Sequence, residues 1–329
     1  MPEVIIFIII LAILFDISNG WNDSANAIAT VVSTRVLTPK KAILLAAGMN
    51  VLGAFLSTAV AKTIGKGVVD PKAVTEIVVA SALFAGFSWN SVMTKLGMPV
   101  SASHALIGGL IGASVSYGGT KILNISGLFT IFSSLLVSPL FGIIFGFFLM
   151  KLILKFFGTL PTGTINKHFG RLQLLSSGFM AFSHGSNDAQ KVMGIITLSL
   201  VSSGFLHSME VPFWVILICA LAMGLGTAIG GWKVIKTMGV HMLKLEPVHG
   251  FAAETSATAI ILAASHFGLP VSTTHVIATA IMGVGATKRL SAVRWGIAGK
   301  IVMAWIFTLP ACAMIAGLTY KILAIFIPA

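Results

Sequence analysis

Charge is what this chain has least of. Only 9% of its 329 residues are Asp, Glu, Lys or Arg, against roughly a quarter in soluble domains. It has two cysteines, Cys219 and Cys312, each inside an apolar run. Neither a disulfide framework nor a cysteine metal motif can be built from them. No HExxH, Gly-x-Ser-x-Gly or Walker loop occurs, so the common zinc-protease, hydrolase and nucleotide-binding readings fall away and no enzyme is expected. Met1-Pro2-Glu3 lacks the basic start of a cleaved signal, so the first apolar run reads as a retained helix.

What is there instead is apolar. Hydrophobic residues make up 57% of the chain and mean hydropathy is +1.00. The 34 glycines suit helices packed closely in lipid. These values predict an all-α polytopic membrane protein whose surroundings are a lipid bilayer. The formal charge of +12 does not mark a nucleic-acid binder, because the Lys and Arg residues gather in short connectors between apolar runs.

Two phrases occur twice. Gly20-Trp21-Asn22-Asp23-Ser24-Ala25-Asn26 is echoed by Gly185-Ser186-Asn187-Asp188-Ala189-Gln190. Gly97-Met98-Pro99-Val100-Ser101-Ala102-Ser103-His104 is echoed by Gly268-Leu269-Pro270-Val271-Ser272-Thr273-Thr274-His275, with five of the eight positions identical. The chain is therefore read as a duplication: residues 1–157 as a first transmembrane repeat, 158–173 as a linker and 174–329 as a second repeat. The apolar blocks are 4–32, 42–61, 73–117 and 128–157, then 174–205, 211–231, 250–286 and 292–328. The third block of each half is long enough for two helices and breaks at its Gly-Pro phrase. If both its ends emerge on one side, each half crosses an odd number of times and the repeats are inverted. The connectors agree. Fourteen Lys and Arg fall in one set (35–41, 151–171, 233–244 and 288–300) and five in the other (62–72, 121 and 321). The richer set is expected to be cytoplasmic, with the linker, and both termini extracytoplasmic. The fold expected is two inverted-topology repeats whose broken helices or re-entrant helical hairpins meet at the midplane.

A carboxylate in mid-membrane costs at least ~2.5–3.5 kcal/mol, so a repeated one needs a reason. Asp23 and Asp188, with Asn22, Asn26 and Asn187, offer hard oxygens to a small cation, and Na⁺ at the two Asp residues is the metal expected. Gly20 and Gly185 would let the helix break there and release carbonyls as further ligands, or let another helix approach. Pro99 and Pro270 favour helix starts, placing Ser101, Ser103, Ser272, Thr273 and Thr274 beside free backbone N–H groups, a seat for an oxyanion. Plain capping explains one such phrase alone; two at equivalent points favour the anion. Glu76 and Glu254 open the third blocks as cation ligands or gating acids, though Glu76 stands two turns further from its Gly-Pro phrase. Supporting roles fall to Gln190, His104, His275 and Lys191. Lys191 has no like residue in the first phrase, near Ile28, and could pair with Asp188, touch an anion or snorkel to the interface. Asp16, two turns before Asp23, lacks an acidic counterpart, and His184 carries little weight alone.

Residues 19–30 (Asn-Gly-Trp-Asn-Asp-Ser-Ala-Asn-Ala-Ile-Ala-Thr) resemble the signature of the inorganic phosphate transporter family, as do 184–191, 245–254 and 268–275. Arg294-Trp295 and Ala304-Trp305 are similar to it too, so the resemblance spans the chain. Trp21 departs from the small residue or His usual at its position. The resemblance implies an inverted-repeat symporter that imports inorganic phosphate with Na⁺ or H⁺ by alternating access, with no cofactor beyond the coupling cation. It also implies transport roles for Glu76 and Glu254. The short linker resembles the compact prokaryotic form, hence the plasma (inner) membrane of a prokaryote. Phosphate would sit between the helix starts, held by Ser101, Ser103, Ser272, Thr273 and Thr274 with Asn22 and Asn187 alongside. Asp23, Asn26 and Asp188 would hold the cations. The oxygen-rich site favours Na⁺. A sulfate symporter of the same superfamily and an ion channel are the alternatives. A homodimer is the default partner arrangement, with no residue to argue it.

Overall fold

The structure, a computed structural model, describes residues 2–71 and 73–326. Lys72 of the charge tally and the end of the last block at residue 328 lie outside the described residues. Among those described, the chain forms twelve α-helices. They are α1 (Pro2–Ser33), α2 (Pro39–Ala54), α3 (Ala59–Gly67), α4 (Glu76–Leu96), α5 (Ala102–Gly118) and α6 (Ile125–Phe157), then α7 (Thr162–Ser202), α8 (Phe213–Ile229), α9 (Trp232–Lys236), α10 (Pro247–His266), α11 (Thr273–Lys288) and α12 (Trp295–Phe326). Each half has the same order: a long helix, a shorter one, a bent continuation, a helical hairpin, a 3-10 turn, and a long helix with an internal proline, Pro139 or Pro310.

Four helices, α1, α4, α6 and α12, are each long and apolar enough to cross a membrane, and two bent pairs pass the same test. Apolar side chains such as Leu136, Leu140 and Phe148 on α6 and Phe307, Met314 and Leu318 on α12 are exposed. In water such a surface would aggregate; in lipid it is solvated. This is an integral membrane protein. Part of the expected linker, from Thr162 onward, is the opening of the 41-residue α7.

The breaks fall elsewhere than expected. α1 and α7 run unbroken through the Asn-Asp phrases, so their carbonyls stay within the helix and are not freed as ligands. Gly20 and Gly185 serve close approach. A Cβ at Gly20 would strike the backbone of α8 at Met223, and one at Gly185 the Asn50 carbonyl of α2. The second blocks, read as single spans, are the broken ones: α2 and α3 meet at 72°, and α8 turns by 65° into α9 and a π-helical turn (Thr237–His241). Distant side chains hold these bends. Gln190 Oε1 accepts from the N–H groups of Val60 (2.8 Å) and Ala61 (3.3 Å) at the start of α3. Ser24 Oγ accepts from Gly231 N–H (2.9 Å) at the start of α9. Each Asn-Asp phrase thus caps the short helix of the other half.

Both hairpins turn in the same way. Gly97 (φ 74°) and Gly268 (φ 68°) take the left-handed conformation that glycine adopts without strain. Met98 N–H reaches Met93 O at 2.9 Å and Leu269 N–H reaches Ala264 O at 2.8 Å, the closing bond of a Schellman motif. The prolines that follow do not start the next helix as expected. Residues 99–100 and 270–271 stay outside the helices, and Ser101 and Ser272 are the N-caps, accepting from His104 and His275 N–H at 3.2 and 3.3 Å. The first hairpin stops inside the molecule. α1 and α4 run side by side in one direction, with Phe15 against Gly86 and Asn22 bonded to Thr94. α4 ends just past Thr94, whereas α1 continues three turns beyond Asn22, about 16 Å. The hairpin tip thus lies well short of the end of α1.

Candidate functional site

The two hairpin tips meet, and their contacts are reciprocal. Ser103 Oγ donates to Val271 O (3.1 Å), and Thr274 Oγ1 lies 3.2 Å from Val100 O. Trp305 Nε1 donates to Pro99 O (3.1 Å), and Ser134 Oγ to Pro270 O (2.7 Å). The His104 and His275 rings stack at 4.8 Å across the junction, and His275 stacks on Trp305 at 3.9 Å. These tip-to-tip and tip-to-helix bonds pair off between the halves, although the match is not complete: Asn22 alone also bonds its own tip, donating to Met98 O and accepting from Val100 N–H, both at 3.4 Å. The N-terminal ends of α5 and α11 therefore face one small volume, and the positive ends of both helix dipoles point into it.

The Asn-Asp phrases border that volume. Asn22 Nδ2 donates to Thr94 Oγ1 (2.7 Å), and Asn187 Nδ2 to Ser265 Oγ (3.0 Å). Asn26 Nδ2 reaches Thr274 Oγ1 at 3.0 Å and Thr273 Oγ1 at 3.3 Å. Thr274 Oγ1 also lies 2.9 Å from Asp23 Oδ1, so one hydroxyl joins a carboxylate to the start of α11. Asp23, His184 and Asp188 converge, with one ligand atom from each lying within 4.8 Å of the others. His184 Nε2 is 3.8 Å from Asp23 Oδ2 and 3.8 Å from Asp188 Oδ2, and its Nδ1 is 2.9 Å from Asn50 Oδ1. Lys191 Nζ pairs with Asp188 Oδ1 at 2.8 Å and is buried, so it does not snorkel to the interface. All of these groups except the half-buried Thr94 are buried. Asn26 Oδ1 and Asn187 Oδ1 find no partner among the described residues. A buried amide oxygen left unmatched is costly unless a ligand meets it.

Not every candidate belongs to this centre. Glu254 is fully buried on α10 but sits in a pocket of its own. Thr30 Oγ1 (2.5 Å), Gln173 Nε2 (3.0 Å) and Ser176 Oγ donate to it. It lies three turns, about 16 Å, along α10 from Ser265. Glu76 is half-buried at the opposite end of α4 from the tip and accepts from Ser203 Oγ at 2.8 Å. Gln190 caps α3 rather than facing the centre. Sequence reasoning passed over Thr94 and Ser265, although both are hydroxyls at one spacing before Gly97 and Gly268. It also gave His184 too little weight; Asn19 precedes the first phrase where His184 precedes the second. Counting from Gly20 and Gly185 sets Lys191 against Asn26, not Ile28.

A closed, polar, doubly built centre inside a lipid-facing helical shell defines a membrane transporter. Residues 19–316 match the Phosphate transporter family. The chain is 44% identical over 322 residues to a protein of Bacillus subtilis (strain 168) named "Probable low-affinity inorganic phosphate transporter", covering 97% of this chain and 96% of that one. A protein of the same name from Rhizobium meliloti (strain 1021) is 44% identical over 315 residues, covering 95% and 94%. A solved structure titled "The sodium-dependent phosphate transporter" superposes with a TM-score of 0.90 at 27% identity, covering 99% of this chain and all of that one. The chain belongs to the Phosphate transporter family; its relatives are transporters, not enzymes.

Proposed function

We propose that the protein imports inorganic phosphate together with Na⁺ by alternating access, across the plasma membrane of a prokaryote. Phosphate lies between the starts of α5 and α11, held by their N–H groups and by the hydroxyls of Ser101, Ser103, Ser272, Thr273 and Thr274, with Asn22 and Asn187 alongside. The coupling cation lies at Asp23 and Asn26, with Asp188 completing the acidic pair. The observation that carries this reading is the Thr274 hydroxyl, which contacts Asp23 while standing in the first turn of α11. A cation that settles on Asp23 thereby changes the field at the anion seat a few ångströms away, which couples the two ligands. The sodium-dependent structural neighbour supports Na⁺. Residues 1–157 and 174–329 would be inverted halves that rock about this centre, a reading the reciprocal tip contacts and the connector charges support.

One observation favours a second reading. His184 stands between the two carboxylates, a geometry that also suits proton coupling. Phosphate uptake into proteoliposomes under an imposed Na⁺ gradient, then an imposed pH gradient, separates the two. We expect the Na⁺ gradient to drive accumulation and the pH gradient alone to fail. Asp23→Asn and Asp188→Asn should each abolish driven uptake while the protein still inserts; unchanged uptake in both would remove the cation role.

A further inference from the structure

The two halves carry the same acid and a different third residue. Asn22, Asp23 and Asn26 are matched at one constant spacing by Asn187, Asp188 and Lys191. Geometry fixes that register as well as letters do, because Asn22 bonds Thr94 just as Asn187 bonds Ser265. In the first half, position 26 is an amide whose Oδ1 has no partner among the described residues. It lies one turn from the Asp23 carboxylate, so two hard oxygens stand there with no fixed cation of their own. In the second half, position 191 is an ammonium, 1% exposed, that lies 2.8 Å from Asp188 Oδ1. Burial of a lysine is tolerated when its charge is paired, and the partner here is the carboxylate that a second mobile cation would need.

We propose that Lys191 is a tethered replacement for one coupling cation. The chain then moves one cation fewer per phosphate than a site with Asn at both positions would. An ammonium and a sodium ion each bring one positive charge to a carboxylate oxygen, but the ammonium cannot leave. Asp188 stays neutralised on both faces of the membrane, and the Asp23–Asn26 half-site alone exchanges its cation with solution. Each coupled cation multiplies the attainable phosphate accumulation by its own concentration ratio, so this substitution trades concentrating power for a site that remains neutralised at low Na⁺.

The inference rests on the cation-coupled reading above, and its test separates the two. Wild type, Lys191→Asn and Lys191→Gln are reconstituted, and the cations moved per phosphate are read from the gradient at which net phosphate flux reverses. Separate vesicles carry a Na⁺ gradient or a pH gradient. Lys191→Asn and Lys191→Gln should each move one cation more than wild type, under whichever gradient drives uptake. Equal counts overturn the inference. Wild-type uptake indifferent to both gradients overturns cation coupling instead. For variants that do not transport, Na⁺ titration of thermal unfolding in detergent decides the matter, because a ligand that binds only the folded state raises its stability. The variants should gain an Na⁺-dependent rise in unfolding temperature steeper than that of wild type; the same dependence in all three overturns the role of Lys191.

Discussion

A hydroxyl in the first turn of a helix can cap, bind or do both, and Ser101 and Thr273 separate the two. Ser101 caps His104 N–H, and its loss should cost about 1 kcal/mol of stability. Among the described residues, the Thr273 hydroxyl makes a hydrogen bond only as an acceptor, from Asn26. If both face the anion, Ser101→Ala and Thr273→Ala should raise the half-saturating phosphate concentration, while only Ser101→Ala lowers the unfolding temperature as well. Uptake kinetics and a melting curve in detergent check this. Glu254 makes a different case. Three donors converge on its carboxylate, so Glu254→Ala strands them at about 1–3 kcal/mol for each donor left buried and unpaired. Glu254→Gln keeps an oxygen acceptor and should retain more of that stability; thermal unfolding compares the two.

Among the elements, the Asn-Asp helices depend on glycine for their distance from α2 and α8. Gly185→Ala would drive a methyl into the Asn50 carbonyl. Overpacking of this kind costs about 1–3 kcal/mol, and here it also shifts Asn50 away from His184. A lowered melting temperature together with lost uptake is expected, both measurable on the purified variant. The hairpins were legible in the sequence because their signals are local: glycine, then proline, then a capping serine, within eight residues. The Asn-Asp phrases stood out as candidates because buried charge is expensive wherever it falls. The bends between α2 and α3 and between α8 and α9 were not, since the groups that cap them, Gln190 and Ser24, come from helices far along the chain. For the same reason Glu254 could not be told from the central acids: its donors Thr30, Gln173 and Ser176 gather only in three dimensions.

Over the whole molecule, the connector charges predict an orientation that can be checked. A single cysteine at Thr162 in a cysteine-free background should react with an impermeant thiol reagent only from the cytoplasm, and one at Asn124 only from outside. Labelling of both from one side would undo the crossing of α6 and the orientation the charges predict. The reciprocal tips also show why one polar phrase alone would be ambiguous: either helix start is an ordinary cap until the other faces it.

The halves are also interlocked. α5 packs along α12, with Gly108 and Gly112 against the backbone of Leu309 and Ala313, while α11 packs along α6 at Gly142 and Gly146. Each hairpin therefore finds its main support in the half that does not encode it. During synthesis the first hairpin must wait in the bilayer, its small-residue face unpartnered, until the last helix has emerged from the ribosome. A chain truncated after α6 would leave that face and its buried polar tip bare to lipid, an obvious target for membrane proteases. The interlock makes the support of the first hairpin depend on the last helix of the chain to be made.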